Sequence, residues 1–260
     1  MRTRPTDTAA HRSVAAVLPS ARAPLDSGLP VRRAALPGTR TGPSAAFLTV
    51  EQIGPGIPSC PPPPDGPPAA ARPSCPGGDG SFAYVLDGGL LRPGGSGPRR
   101  SVPPGAVVLR CGDAAEPFGT PLAAPGGLHH QLRVLRGPNA GPPGDGPASL
   151  RPGPAPVVRR LDGTWFRVLA GRACGAAGPL DAGAGVTAVH VSLAPGAAAE
   201  LPAPARHLAA VYVLAGDGRV AGREVGEGEL AVLAEGGAAV RMAGGPVGAD
   251  LLLLSARPGG

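Results

Sequence analysis

Residues 210–218 read AVYVLAGDG, and residues 82–89 read FAYVLDGG. The two phrases hold the chain's two tyrosines, Tyr84 and Tyr212. Each is a short apolar run that stops at glycine, the signature of a strand entering a tight turn. The likeness runs on. YVLAGDGRVAGREVGEGELAVL (212–233) reads as strand, glycine turn, strand, glycine turn, strand. YVLDGGLLRPGGSGPRRSVPPGAVVL (84–109) keeps that order with a longer middle, 17 positions from Gly88 to Gly105 against 12 from Gly216 to Gly228. A β unit repeated in this way predicts two similar β-barrel lobes in tandem.

The rest of the chain agrees. WFRVLAG (165–171), VTAVHVSLAPG (186–196) and ADLLLLSA (249–256) are further Val- and Leu-rich runs bounded by Gly, Pro or Asp. No apolar pattern of helical period persists, so the class is all-β. Gly 43 and Pro 36 make up roughly 30% of the 260 residues, a share that alone would indicate low complexity. Hydrophobic residues at 42% still permit a core, built from Val, Leu and Ala because aromatics are only 3%. The expected organisation is a flexible N-terminal arm (1–28), a first lobe (29–138), a Pro/Gly-rich linker (139–160) and a second lobe (161–258). A long loop is expected over 54–80.

The charge is +6, and all 24 basic residues are arginine. A basic balance admits an acidic protein or nucleic acid as partner. The arginines come in pairs such as Arg99-Arg100, without aromatics interleaved for base stacking. Scattered solvated charge is the plainer reading. No apolar run approaches the ~18 residues of a membrane span. The four cysteines, Cys60, Cys75, Cys111 and Cys174, form no C-x-x-C pair, so reduced thiols in a cytoplasmic protein are expected.

A strand ending in Y-V-L-x-G, a hairpin, then P-G and another apolar strand resembles a cupin half-motif, and two such lobes resemble a bicupin. Together with LPVRRAALPGTRTGPSAAFLTVEQIGPG (29–56), GLHHQLRVLRGP (127–138), RVLAGRACG (167–175) and VSLAPGAAAELP (191–202), the chain resembles the pirin family over most of its length. Arg133 stands where that family usually has tryptophan. The resemblance implies two jelly-roll barrels and a mononuclear iron in the first. The family's ligands are three histidines and a glutamate, two from H-P-H-R-G before the Y-V-L strand and two from H-x-E after the P-G strand. Some relatives cleave quercetin with dioxygen; others are transcriptional coregulators or enzyme partners.

Those ligands do not carry over. Counting back from Tyr84, the first motif falls on Ser74, Cys75, Pro76, Gly77 and Gly78; counting forward from Gly105, the second falls on Phe118, Gly119 and Thr120. The five histidines are His11, His129, His130, His190 and His207, so the span 12–128 contains none. A thiolate site from Cys75 and Cys111 with Asp113 or Glu116 would need several of them to converge on one ion. We read these as small thiols and loop carboxylates. His129 and His130 begin a strand and therefore face opposite sides. His190 and His207 read as structural, and Trp165 as a packing anchor. GDGRVA (216–221) leads into a strand, so it is a hairpin turn and not a dinucleotide cradle. No catalytic, cofactor-binding or metal residue is assigned, and no cofactor is expected. The expectation is a binding or regulatory protein on a pirin-like scaffold, for a small molecule or a protein partner. The alternative is a quercetin 2,3-dioxygenase-like oxidoreductase with a non-standard metal site.

Overall fold

The computed structural model describes residues 10–24, 28–36, 49–58, 81–94, 97–110, 118–124, 127–135, 149–150, 154–181 and 185–257. Among them no helix is long and apolar enough to cross a membrane, and regular structure is all strand. The all-β expectation therefore holds. In chain order the strands are β1 (Val14–Pro19), β2 (Ala21–Pro24), β3 (Pro30–Ala35), β4 (Thr49–Gly56), β5 (Ser81–Asp87), β6 (Gly89–Gly94), β7 (Gly97–Val102), β8 (Val107–Arg110), β9 (Thr120–Leu122) and β10 (His129–Leu135). There follow β11 (Ser149–Leu150), β12 (Val157–Arg159), β13 (Trp165–Ala170), β14 (Arg172–Ala173), β15 (Ala176–Ala177), β16 (Leu180–Asp181), β17 (Thr187–Leu193), β18 (Ala198–Pro202), β19 (Leu208–Val220), β20 (Arg223–Gly226), β21 (Glu229–Leu233) and β22 (Ala239–Ala256).

The first lobe's main sheet has the order β2-β3-β4-β10-β5-β8, and the second lobe's runs β21-β19-β22-β17-β13. From β3 the first order is β3-β4-β10-β5-β8, and from β13 the second is β13-β17-β22-β19-β21, so five strands correspond one to one, and so does the register. Across the first sheet, Arg32, Gln52, Leu132, Tyr84 and Val107 stand opposite one another in one row. Across the second, the row is Arg167, His190, Leu252, Tyr212 and Leu230. The tyrosines of the repeated phrase thus occupy equivalent places. The turn that follows each is equivalent too. Gly88 and Gly216 have φ of 73° and 75°, and a Cβ at either would run into a backbone carbonyl, of Leu122 or Gly248. Only glycine meets both demands.

The runs FAYVL and LLLL do not alternate because both faces of these sheets are buried. Even-numbered residues of the central strands (Phe82, Tyr84, Leu132, Val134; Ala210, Tyr212, Leu252, Leu254) join one apolar cluster that spans both lobes. Odd-numbered residues line the barrel interiors. In the second lobe Val189, Val191, Val211, Val213, Leu251 and Leu253 form its own core. In the first, Ala83 and Val85 of the central β5 do so, joined by the even-numbered Val108 of β8 and Phe118 from outside the central strands. The lobes therefore pack sheet against sheet, and each central strand stabilises a barrel with one edge and the joint between lobes with the other.

The N-terminal segment departs from expectation. Residues 10–24 are not a free arm. β1 pairs antiparallel with β21 of the second lobe, Leu18 opposite Leu230, and the chain crosses at Ser20 to β2 on the first lobe. Arg12 anchors this segment. It is 2% exposed, and its guanidinium donates to the carbonyls of Ala234 (2.8 Å), Pro204 (3.1 Å), His207 (2.8 Å) and Leu233 (3.4 Å). A buried guanidinium requires such a full set of acceptors. The sequence VAAVLP is short and flanked by Pro and Arg, and its sheet partner lies more than 200 residues away, so local pattern does not disclose it. Within the expected linker, β12 pairs with β13 as part of the second lobe, and β11 pairs with β16 and packs near β8. In the expected loop, residues 54–56 complete β4, and 59–80 lie outside the described residues.

Candidate functional site

Two polar sites lie inside this otherwise apolar framework. One is the interior of the first lobe. Glu51, Gln131 and Arg133 stand on neighbouring strands β4 and β10 and face inward. Arg133 Nη1 lies 4.0 Å from Glu51 Oε2, and Glu51 also accepts from Arg33 at 2.8 Å. With the Gln131 amide oxygen turned toward it, the guanidinium donates to that oxygen from Nε (3.3 Å) and Nη2 (3.1 Å). Its carbon sits 5.6 Å from the centroid of the buried Phe118 ring, within cation–π range. A fixed cation thus stands in this barrel beside one carboxylate.

This arrangement does not suit a metal ion. Phe118 and Gly119, at the positions of the H-x-E motif, are buried and offer no side-chain donor, and Thr120 is the third. A guanidinium over that ring would repel a divalent ion. Among the described residues no group of three or more His, Cys, Asp or Glu could hold a metal. Ser74, Cys75, Pro76, Gly77, Gly78, Cys60, Cys111, Asp113 and Glu116 lie outside the described residues.

The second site is the seam between lobes. Tyr84 donates its hydroxyl to His190 Nδ1 at 2.9 Å, and Arg167 Nη1 donates to the same hydroxyl oxygen at 3.3 Å. His190 Nε2 faces Asp250 Oδ1 at 3.7 Å. Trp165 packs edge-to-face on the imidazole, ring centroids 4.7 Å apart. On the equivalent row, Tyr212 donates to Gln52 Oε1 at 3.0 Å. The Gln52 amide nitrogen donates to the Leu214 carbonyl (3.0 Å) and to His130 Nε2 (3.0 Å). Each tyrosine therefore bonds into the other lobe.

Burial sets the electrostatics. It pushes the Tyr84 hydroxyl up to about 12, against the opposing charge and hydrogen bond of Arg167. It pushes His190 below the ordinary histidine value, with Asp250 opposing, and His130 down to about 4, with His129 and His190 adding to the fall. Asp250 is held below the usual carboxylate range by its neighbours His190 and Ser192, against its own burial. At neutral pH the seam thus holds neutral imidazoles, a protonated phenol and one carboxylate.

The five histidines are spread over the molecule. His129 faces the first lobe's interior, with Nδ1 donating to the Leu122 carbonyl at 3.2 Å, whereas His130 faces the seam. His207 bonds Ser255 Oγ at 3.1 Å, and His11 pairs with Glu200 at 2.7 Å. Trp165 packs as expected, but on His190. GDGRVA lies in β19 and turns into β20, the hairpin that its neighbours indicate. Sequence reasoning overlooked Gln52, Arg167 and Asp250. The pairing register of the two sheets places Gln52 and His190 at one position, but they stand 32 and 22 residues before their tyrosines, so the sequence alone carried no such signal.

Residues 188–260 match the family model described as Pirin C-terminal cupin domain. No curated protein matches the chain. Among solved structures, quercetin 2,3-dioxygenase from Acinetobacter baumannii is similar at a TM-score of 0.68 and 16% identity, covering 96% of this chain and 88% of that one. GK1651 from Geobacillus kaustophilus reaches 0.65 at 18% identity, over 96% and 98%. The bacterial pirin YhhW of Escherichia coli, in complex with nickel(II), reaches 0.51 at 14% identity, over 92% and 96%. At these identities the likeness is one of fold, a bicupin of two jelly-roll lobes.

Proposed function

We propose that the chain is a cupin of the pirin family, a binding or regulatory member whose first lobe works without iron. The observation that carries this reading is Arg133, seated on Phe118 inside the first barrel beside Glu51. The lack of histidine throughout 12–128 supports it, because none of the positions where the family places its three histidines holds one, and the one imidazole facing this interior, His129, stands outside that motif. With no donor set for a metal among the described residues, no oxidative step is assigned to the lobe. Its remaining role is to present a shaped scaffold, with a basic surface suited to an acidic protein or nucleic acid.

The competing reading is an oxygenase of the kind named among the similar structures. Elemental analysis separates the two. We expect purified protein, with and without added iron, to hold far less than one iron per chain and to leave quercetin unchanged. Stoichiometric iron overturns the proposal, and loss of that iron in Cys75→Ala or Cys111→Ala would place an unconventional site.

A further inference from the structure

Among the described residues, five buried side-chain atoms lack a hydrogen-bond partner, and three of them belong to one cluster: Arg167 Nε, His190 Nε2 and Asp250 Oδ1. Buried polar atoms are normally satisfied, so a concentration of exceptions around a bond that joins two lobes needs a reason. We propose that this cluster is a pH-responsive lock: neutral His190 holds Tyr84 across the seam, and protonation of His190 releases the first lobe on that side while the bond between Tyr212 and Gln52 remains.

The argument rests on which atoms can donate. Arg167 has no acceptor, so its contact with the Tyr84 oxygen is a donation. We assign the Tyr84 hydrogen to a bare His190 Nδ1, because an Nδ1–H would put two donors on the phenol oxygen and leave the hydroxyl hydrogen without either partner. The imidazole hydrogen sits on Nε2, toward Asp250. A proton added at Nδ1 removes the acceptor. The new N–H and the Arg167 N–H would both point at one phenol oxygen, and two cations would meet beside it. Asp250 is the counterweight, at 3.7 Å and with its side chain 41% exposed to water, whereas that of His190 is 4% exposed. The other groups facing His190 are Tyr84 from β5, Arg167 and Trp165 from β13, and His130 from β10. None of these adds a carboxylate, and burial keeps the imidazole neutral until the solution is distinctly acidic.

The equivalent row supplies the contrast. Gln52 occupies the place of His190, and its amide does not titrate in this range. Gln52 is bonded to His130, which is held down to about 4, so between pH 7 and pH 5 the His190 side can open while the Tyr212 side keeps its bond and acts as a hinge. A two-state joint biased by a single proton needs no more than this.

The chain's single tryptophan is a built-in reporter, because Trp165 touches the titrating ring. In the full-length protein, Trp165 emission should show one transition with its midpoint below the ordinary histidine value of about 6.5. Corrected for the slower intrinsic exchange at lower pH, the protection of the β5 amides should fall at least severalfold between pH 7 and pH 5, while that of residues 210–214 of β19 holds. His190→Gln should abolish both effects, and His130→Gln should keep them. Equal loosening of both tyrosine strands, or a His190→Gln chain that titrates like the parent, overturns the proposal. Should that variant not fold, Tyr84→Phe is the second arm. It should show at pH 7 the protection that the parent shows at pH 5 and change no further with acid; a parent-like response to acid there also overturns the lock.

Discussion

Tyr84 and Tyr212 bond across the same seam in opposite directions, the first to His190 at 2.9 Å and the second to Gln52 at 3.0 Å. Both side chains are at most 1% exposed, so each hydroxyl has exchanged water for a partner in the other lobe. A duplicated sheet has become its own counterpart, and the polar row at its centre fixes how the halves meet.

Removing either hydroxyl leaves a buried acceptor without its donor. Tyr84→Phe and Tyr212→Phe should each destabilise the chain by about 1–3 kcal/mol. Urea unfolding at pH 7 measures this. Tyr212→Phe should cost as much at pH 5 as at pH 7, because Gln52 does not titrate.

Stability should fall on acidification, and the sign follows from the histidines. His129, His130, His190 and His207 are all held below the ordinary value, chiefly by burial, so the unfolded chain binds protons first. Their contribution is complete above about 6.5 and is lost as pH falls toward the folded value, about 4 for His130. Each pH unit in that window should cost up to about 1.4 kcal/mol for a well-buried histidine such as His130, and much less for the solvent-screened His207. His130→Gln should flatten the profile of unfolding free energy against pH between 6.5 and 4.

Arg12 predicts a role for residues that look like a tail. Arg12→Ala removes a donor to four carbonyls and should destabilise by about 2–4 kcal/mol. Limited proteolysis should then cut within 13–20 while the rest of the second lobe survives. Wild-type protein should resist cutting there.

Adjacent leucines of one strand should fail in different places. Leu252→Ala opens a cavity in the cluster shared by both lobes, and Leu253→Ala opens one inside the second barrel. Both should cost about 2–5 kcal/mol. Hydrogen exchange separates them. The first should loosen β5 and β10 of the other lobe, and the second should act on β17 and β19 alone.

Much of this architecture was legible in the amino acids. The repeated tyrosine phrase and the glycines after it predicted two equivalent β lobes, because a hairpin turn and a strand are local matters. The non-alternating run Leu251–Leu254 marked a strand buried on both sides, though not by what. Two features escaped. β1 has no local signal, since its partner β21 is distant in the chain and its stability comes from Arg12 reaching four carbonyls. The seam escaped because its members are single residues on separate strands. Gln52, Arg167 and Asp250 mean little alone and gain their role only when two registers are laid over each other. The emptied histidine positions were readable, but Arg133 stood out only as a substitution, and its place over Phe118 required the fold.

The pairing of β1 with β21 has a consequence for the order in which this protein can be made. Residues 14–19 leave the ribosome first, yet the strand they join is at 229–233. At about 5–20 residues per second, some 10–40 s of synthesis separate the two. Through that interval an apolar edge-forming segment waits without its mate, and Arg12 waits without its carbonyls. The second lobe therefore closes on a segment made before any of its other strands, and it is not finished until β21 has been translated.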